Sequence, residues 1–381
     1  MKILVNTITA KKHAGGAFQI SQNFMLKSLE DKSVEWYYIT SQDLDDIIGS
    51  HFMSMKDSQY FVFPTQPDFK HTYKSVKAKL EELENKLNPD VVYSITAPSY
   101  FRFKAPEVMR FTNPWVTHPN KYAWSLLSWK EKIYYYLYNL NQKRMIKKAH
   151  YFITQTETCA KGIQYITGVP KSRIKVISNV LPAIFNTLDN TPVLRGDFVN
   201  IACVGAATVH KNFDLIPDVL KTFKEQGYGN IRMHVTLPYD DPILLKIQKK
   251  LQIYGLSDML INHGRLLQNE LGEMYRGCQF CYLPTLLEVF SASVLEAMYY
   301  GLPIVASNFE FNSEILEDSC LYYEPKNAID AVNKFIMLMK NLKLQDSCRK
   351  KMEYRLLKYG DYNAHFNAIK EFLLQVGNKI V

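Results

Sequence analysis

The residues best able to do chemistry fall in a few short stretches. Glu288 and Glu296 stand at the two ends of Glu288-Val-Phe-Ser-Ala-Ser-Val-Leu-Glu296. This stretch follows an apolar strand-like run and Pro284, and Ser291 or Ser293 can cap a helix through Val294–Tyr300. The free N–H groups of such a helix start suit a diphosphate. Carboxylates flanking an anion site repel phosphate and are better suited to accepting hydrogen bonds from sugar hydroxyls. Spacing alone equally describes one loop carboxylate and one solvated helix carboxylate. Gly15-Gly16 separates a first strand from a helix and would let backbone N–H groups approach a phosphate. It is not the GxGxxG of dinucleotide binding, and a plain strand-to-helix turn explains it too. Lys211, in Val204-Gly-Ala-Ala-Thr-Val-His-Lys-Asn212, offers a point charge for a phosphate, or is a surface loop lysine. Cys278-Gln-Phe-Cys281 lacks the second ligand pair of a zinc site. It also runs into a strand, where a redox motif should open a helix.

These groups need elements to position them. Short β-rich runs alternate with amphipathic stretches, as in parallel sheets covered on both faces. Expected strands are Ile3–Asn6, Trp36–Thr40, Tyr60–Phe63, Val91–Ile95, Phe152–Gln155 and Lys175–Ser178. In the second half they are Val199–Val204, Ile231–Thr236, Leu260–His263, Phe280–Leu283, Ile304–Ala306 and Cys320–Tyr323. Helices are expected at Gly16–Glu30, Tyr73–Lys86, Trp129–Lys148, Ile216–Gln226, Pro242–Tyr254 and Tyr362–Val376. A polar stretch over 185–198 reads as a linker, after which the alternation restarts.

Length and composition agree with two globular domains. The chain has 381 residues, 47% hydrophobic and 22% charged, which excludes disordered, collagen-like and coiled-coil chains. The net charge is +9, and all of it lies in residues 1–190, which hold 25 Lys/Arg against 16 Asp/Glu. Residues 101–150 alone carry 10 Lys/Arg against Glu107 and Glu131. So local a surplus points to an anionic partner or to a merely solvated basic face. The N-terminus is too short and polar for a signal peptide. No charge-free apolar run reaches the roughly 18–20 residues of a membrane span. Six cysteines in mostly apolar contexts fit buried cytosolic thiols.

The segment from Glu288 continues through Glu296-Ala-Met-Tyr-Tyr-Gly-Leu-Pro-Ile-Val-Ala-Ser-Asn308 to Ser313-Glu314-Ile315. It resembles the E-x7-E signature of the retaining GT-B glycosyltransferases known as glycosyl transferases group 1. Val176-Ile-Ser-Asn-Val180 with Phe185, and Asn262-His-Gly-Arg through Leu271 to Tyr275, resemble two further blocks of that family. The resemblance implies an α/β GT-B fold: two Rossmann-like domains facing a central cleft, with a C-terminal helix crossing back to the first. The domains would be 1–185 with helix 362–381, binding the acceptor, and 199–361, binding the nucleotide-sugar.

Site roles follow from the resemblance. Glu296 would hold ribose hydroxyls and Glu288 the donor sugar. Lys211 and the N–H groups of Gly15 and Gly16 would meet the diphosphate, with Phe290, Ser291, Ala292 and Ser293 completing the cradle. Arg265 would lie beside the base. His118 is expected near the donor sugar, with His13 as competitor. Retention would proceed by front-face attack, and no metal or other cofactor is expected beyond the nucleotide-diphosphate sugar itself as donor. Two departures stand out. The family's Arg after the first strand of this domain is absent from Ala206-Ala207-Thr208, leaving Arg265 or His210 to replace it. The usual E-G-F-G is Glu288-Val-Phe-Ser here. These departures keep open a non-catalytic GT-B protein that binds glycan or a partner, and the fold also serves nucleotide-sugar epimerases.

Residues 121–148 interleave Trp and Tyr with Lys and Arg, and three of the four tryptophans lie in or beside this segment. That is the composition of an interfacial membrane element. It is equally that of a domain helix with Leu126, Trp129, Ile133, Leu137 and Leu140 in the core. The expected partners are a nucleotide-sugar and a glycan or lipid-linked acceptor. An anionic membrane would be met through 101–148, and nucleic acid is not expected. The expected place is the cytoplasm, at the inner face of the membrane where that contact is made.

Overall fold

The computed structural model describes residues 1–12, 16–63, 72–193 and 196–378. Contacts divide the chain into two compact units. The first comprises Met1–His118, Ile133–Ser178 and the chain from Asn363; the second comprises Pro119–Lys132 and Asn179–Tyr362. Each is built on one wholly parallel sheet.

In the first unit the strands are β1 (Lys2–Thr7), β2 (Glu35–Ser41), β3 (Tyr60–Phe63), β4 (Val91–Ser94), β5 (Glu107–Arg110), β6 (Tyr151–Thr154) and β7 (Ile174–Val176), ordered β3-β2-β1-β4-β5-β6-β7. The strands are short buried runs because helices cover both faces. β5 is not among the twelve expected strands. Its sequence, Glu-Val-Met-Arg, is polar at both ends, yet all four residues are buried. The C-terminal helix Tyr362–Asn378 sets Phe366, Ile369, Phe372, Leu373 and Val376 into this unit's core beside Val5, Tyr93, Val108 and Ile153.

The second unit has β8 (Val199–Cys203), β9 (Ile231–Val235), β10 (Leu260–Asn262), β11 (Phe280–Leu283), β12 (Ile304–Ser307) and β13 (Leu321–Tyr323), ordered β10-β9-β8-β11-β12-β13. The chain winds outward from β8 to β10, then restarts at β11 and winds the other way. β8 and β11 are therefore neighbours whose following loops diverge. Such a switch point opens a crevice at the C-terminal ends of the strands, where ligands bind in open α/β sheets.

The helix Trp129–Ile146 differs from the core-stripe reading. Trp129, Ile133, Leu137 and Leu140 are exposed (67, 53, 58 and 43%), and its inward residues are Asn139, Gln142 and Ile146. The reason is hydrogen bonding. Asn139 Nδ2 donates to the Trp115 carbonyl at 3.0 Å and Gln142 Nε2 to the Tyr100 hydroxyl at 3.2 Å. The polar face is thus the one whose N–H groups find internal acceptors, with Asn139 Oδ1 buried and unpartnered among the described residues, and the apolar face is left outward.

Within the first unit, the helix Glu157–Thr167 lies close against the short helix Pro114–Thr117. A Cβ on Gly162 would sit 2.2 Å from the Thr117 carbonyl oxygen, which is backbone and cannot rotate away. Gly162→Ala should therefore destabilise the protein by roughly 1–3 kcal/mol, read as a lowered urea midpoint at unchanged m-value.

Candidate functional site

At this switch point of the second unit the loop after β8 meets the loop after β11. After β8 the chain turns through Val209–Lys211 to Asn212, a buried residue in the left-handed region (φ 57°). Asn212 Nδ2 donates to the Pro284 carbonyl at 3.3 Å, and Leu286 N donates to the His210 carbonyl at 2.8 Å. These bonds fasten one loop to the other. Asn120, also in this unit, adds a bond from its Nδ2 to the Leu286 carbonyl at 2.7 Å.

Lys211 and Glu288 meet at the centre. Lys211 Nζ lies 2.7 Å from Glu288 Oε2, with side-chain exposures of only 10 and 20%. Lys211 Nζ also donates to Ser291 Oγ at 3.2 Å, and the Val289 N–H donates to Glu288 Oε1 at 2.9 Å. Burial pushes the Glu288 carboxyl up, but the charge and hydrogen bond of Lys211, with the Val289 N–H, outweigh it and hold it below the ordinary value. His210 is held down to about 4, chiefly by burial, so it is neutral in the physiological range.

The helix Ala292–Tyr299 begins beside this pair. Ser291 takes the N-cap position with extended backbone, but its side chain does not cap. Its Oγ is 2.8 Å from Ser293 Oγ instead, so the first N–H groups of the helix are not satisfied by that hydroxyl. Phe290 packs edge-on to Tyr359 in the core. Behind the helix start, Glu296 Oε2 accepts from the Tyr275 hydroxyl at 2.9 Å. Burial raises the Glu296 carboxyl, with Tyr275 and Lys211 opposing.

Lys211, His210, Glu288, Ser291 and Ser293 are thus brought together within the second unit, with Glu296 behind them. Arg265 is exposed and follows Gly264, whose left-handed backbone (φ +69°) sits where a Cβ would meet the Tyr239 ring at 2.6 Å. His118 belongs to the first unit, where its Nδ1 is 2.8 Å from Thr117 Oγ1. Gly16, also in the first unit, is exposed and opens the helix Gly16–Ser28; Gly15 and His13 lie outside the described residues. Two supports were not assigned from sequence. Tyr275 lies inside a recognised block but only the fold brings it to Glu296, and Asn120 is far from the site in sequence. Cys278 and Cys281 are buried free thiols, and burial holds Cys278 up to about 12, which suits core packing.

Residues 187–355 match the family described as glycosyl transferases group 1. An uncharacterized 41.2 kDa protein in the cps region of Klebsiella pneumoniae is 22% identical over 232 residues, 57% of this chain and 58% of that protein. The match therefore spans less than two-thirds of that relative's length. Among solved structures, Anabaena Alr3699/HepE in complex with UDP-glucose superposes with a TM-score of 0.72 at 13% identity, covering 98% of this chain and 100% of that one. Sucrose-phosphate synthase from Thermosynechococcus elongatus gives 0.73 at 13% identity over 99% of both chains.

The geometry makes a stability prediction. Lys211→Met leaves the Glu288 carboxylate largely buried without its cation, and should cost roughly 2 kcal/mol at pH 7, less than a fully buried pair would. Glu288 is depressed below 4.5 in the folded state. The pair's contribution is therefore complete above the unfolded value and is lost as pH falls through the folded one. The gap between wild type and variant, measured by urea unfolding, should shrink below about pH 4.5.

The chain thus has the GT-B fold, and the segment carrying Lys211, Glu288 and Glu296 is similar to the group 1 glycosyl transferases.

Proposed function

We propose that this protein is a retaining glycosyltransferase. In this reading it moves a sugar, of hexosyl type, from a nucleotide-diphosphate sugar to a glycan or lipid-linked acceptor in surface polysaccharide synthesis. The observation that carries the reading is the Lys211–Glu288 pair at the β8/β11 switch point, beside a helix start whose cap hydroxyl is engaged elsewhere. The similarity of residues 187–355 to group 1 glycosyl transferases supports it. The cps-region relative supports the polysaccharide context.

The chemistry follows from charge. A donor diphosphate entering the crevice would compete with Glu288 for Lys211, with the N–H groups of 290–293 sharing its charge. Glu288, released from its cation, would accept hydrogen bonds from sugar hydroxyls. Glu296, whose Oε2 already takes the Tyr275 hydroxyl, would accept from ribose with Oε1. The bond from the anomeric carbon to the diphosphate oxygen breaks, and a bond to the acceptor oxygen forms on the same face. The acceptor's proton passes to the departing diphosphate, so the step asks for neither a side-chain base nor a metal. His118 would contact the donor sugar, Arg265 the base, and Gly15 and Gly16 the diphosphate.

The outward apolar face of the helix Trp129–Ile146, bordered by Lys130, Lys143 and Arg144 on the helix and by Lys147 just after it, fits contact with an anionic lipid surface. Aromatic and aliphatic side chains would enter the interface while each basic residue adds about 1 kcal/mol. Among the described residues no helix is long and apolar enough to cross a membrane.

Two measurements test these readings. With a panel of nucleotide-diphosphate sugars, Lys211→Ala and Glu288→Ala should each lower transfer by about 100-fold or more; transfer at wild-type rate would sink the assignment. Wild type should sediment with phosphatidylglycerol vesicles at low salt and not with phosphatidylcholine vesicles. Lys143→Glu/Arg144→Glu/Lys147→Glu should abolish that binding.

A further inference from the structure

We propose that Arg110 anchors an oxyanion-binding site in the first unit, taking a phosphate or carboxylate group of a substrate. Arg110 closes β5 at the C-terminal end of the sheet and is 6% exposed. A guanidinium stays charged in proteins. Among the described residues, nevertheless, no ion pair or hydrogen bond engages this one. The acid closest in sequence, Glu107, cannot serve. Strand alternation places residues three apart on opposite faces, and Glu107 accepts from Ser94 Oγ on its own side.

Arg110 shares its face with Val108, and so with Tyr93 and Ile153, the face covered by the C-terminal helix. Among the described residues, the groups close enough to feel its charge are the Tyr93 hydroxyl, the Cys159 thiol and the His365 imidazole, and none is a carboxylate. Tyr93 OH is itself buried with no hydrogen-bond partner. Burial, with Arg110 adding to it, holds His365 down to about 4, so the imidazole is neutral at physiological pH. A buried cation without a counter-ion is strongly unfavourable. An anion arriving beside Arg110 would supply the missing charge and give the Tyr93 hydroxyl an acceptor. The basic surplus of residues 101–150 would draw such an anion in.

Two substrate groups carry this chemistry: an anionic group of the acceptor, or the donor's diphosphate. Assigning the source rests on the glycosyl-transfer reading, whereas the site itself does not, and the experiment separates the two. In a Lys211→Met background, sodium phosphate at ten-fold excess over its Kd should raise the thermal midpoint by about 2–4 °C relative to sodium chloride of equal ionic strength. Adding Arg110→Met should abolish that rise while leaving the ligand-free midpoint equal or higher, because an unpaired buried charge has been removed. Arg110→Lys should keep part of the rise. In otherwise wild-type protein, Arg110→Met should then either weaken UDP binding ten-fold or more, assigning the donor diphosphate, or leave it within two-fold, assigning an anionic group of the acceptor. No phosphate-dependent rise, or a rise that survives Arg110→Met, would overturn the proposal. So would a ligand-free midpoint that falls in Arg110→Met, since Arg110 would then be a structural residue.

Discussion

An ammonium and a carboxylate 2.7 Å apart, largely withdrawn from water, fix the crevice of the second unit. Each depends on the other, because a largely buried charge left without its partner is destabilising. Lys211 comes from the loop after β8 and Glu288 from the loop after β11. The two loops can meet because the sheet reverses its winding between those strands. The supporting bonds serve the same end. Asn212 to Pro284, Leu286 to His210 and Asn120 to Leu286 all hold backbone to backbone or side chain to backbone, so the charged pair sits between loops that are already joined.

In the proposed function, this arrangement is how an electrically neutral half would hold a highly charged donor. A few local charges and the N–H groups of one helix start would suffice, because partial burial strengthens each of them. The pair also keeps Glu288 ionised and Lys211 occupied, so that an entering anion would have to displace the carboxylate.

The first unit handles charge differently. β5 buries Glu107 and Arg110 on opposite faces of a four-residue strand. Glu107 is raised to about 7 by burial and bonded to Ser94, whereas no carboxylate or hydrogen-bond acceptor among the described residues engages the Arg110 guanidinium. The helix Trp129–Ile146 inverts the usual pattern, turning Asn139 and Gln142 inward and its aliphatic stripe outward. Both are departures from local rules that a sequence reader relies on.

By itself the sequence determined the two alternating α/β halves, because buried parallel strands must be short apolar runs and their crossovers amphipathic. Eleven of the twelve named strands reappear within one residue of their expected ends, the exception being the strand predicted over Lys175–Ser178, which begins one residue early and ends two early at Val176. It also marked Lys211, Glu288 and Glu296, since their order and neighbours form a recognisable pattern. What it did not contain was anything long-range. β5 was missed because its polar ends look like a loop until neighbours on both sides bury them. Tyr275 and Asn120 become part of the site only when the sheet order brings their segments to Glu296 and Leu286. The apolar stripe of 129–146 looks the same in sequence whether it faces core or water. Only the tertiary hydrogen bonds donated by Asn139 Nδ2 and Gln142 Nε2 decided which face turned inward, because a buried amide N–H needs an acceptor where a solvent-facing leucine needs none.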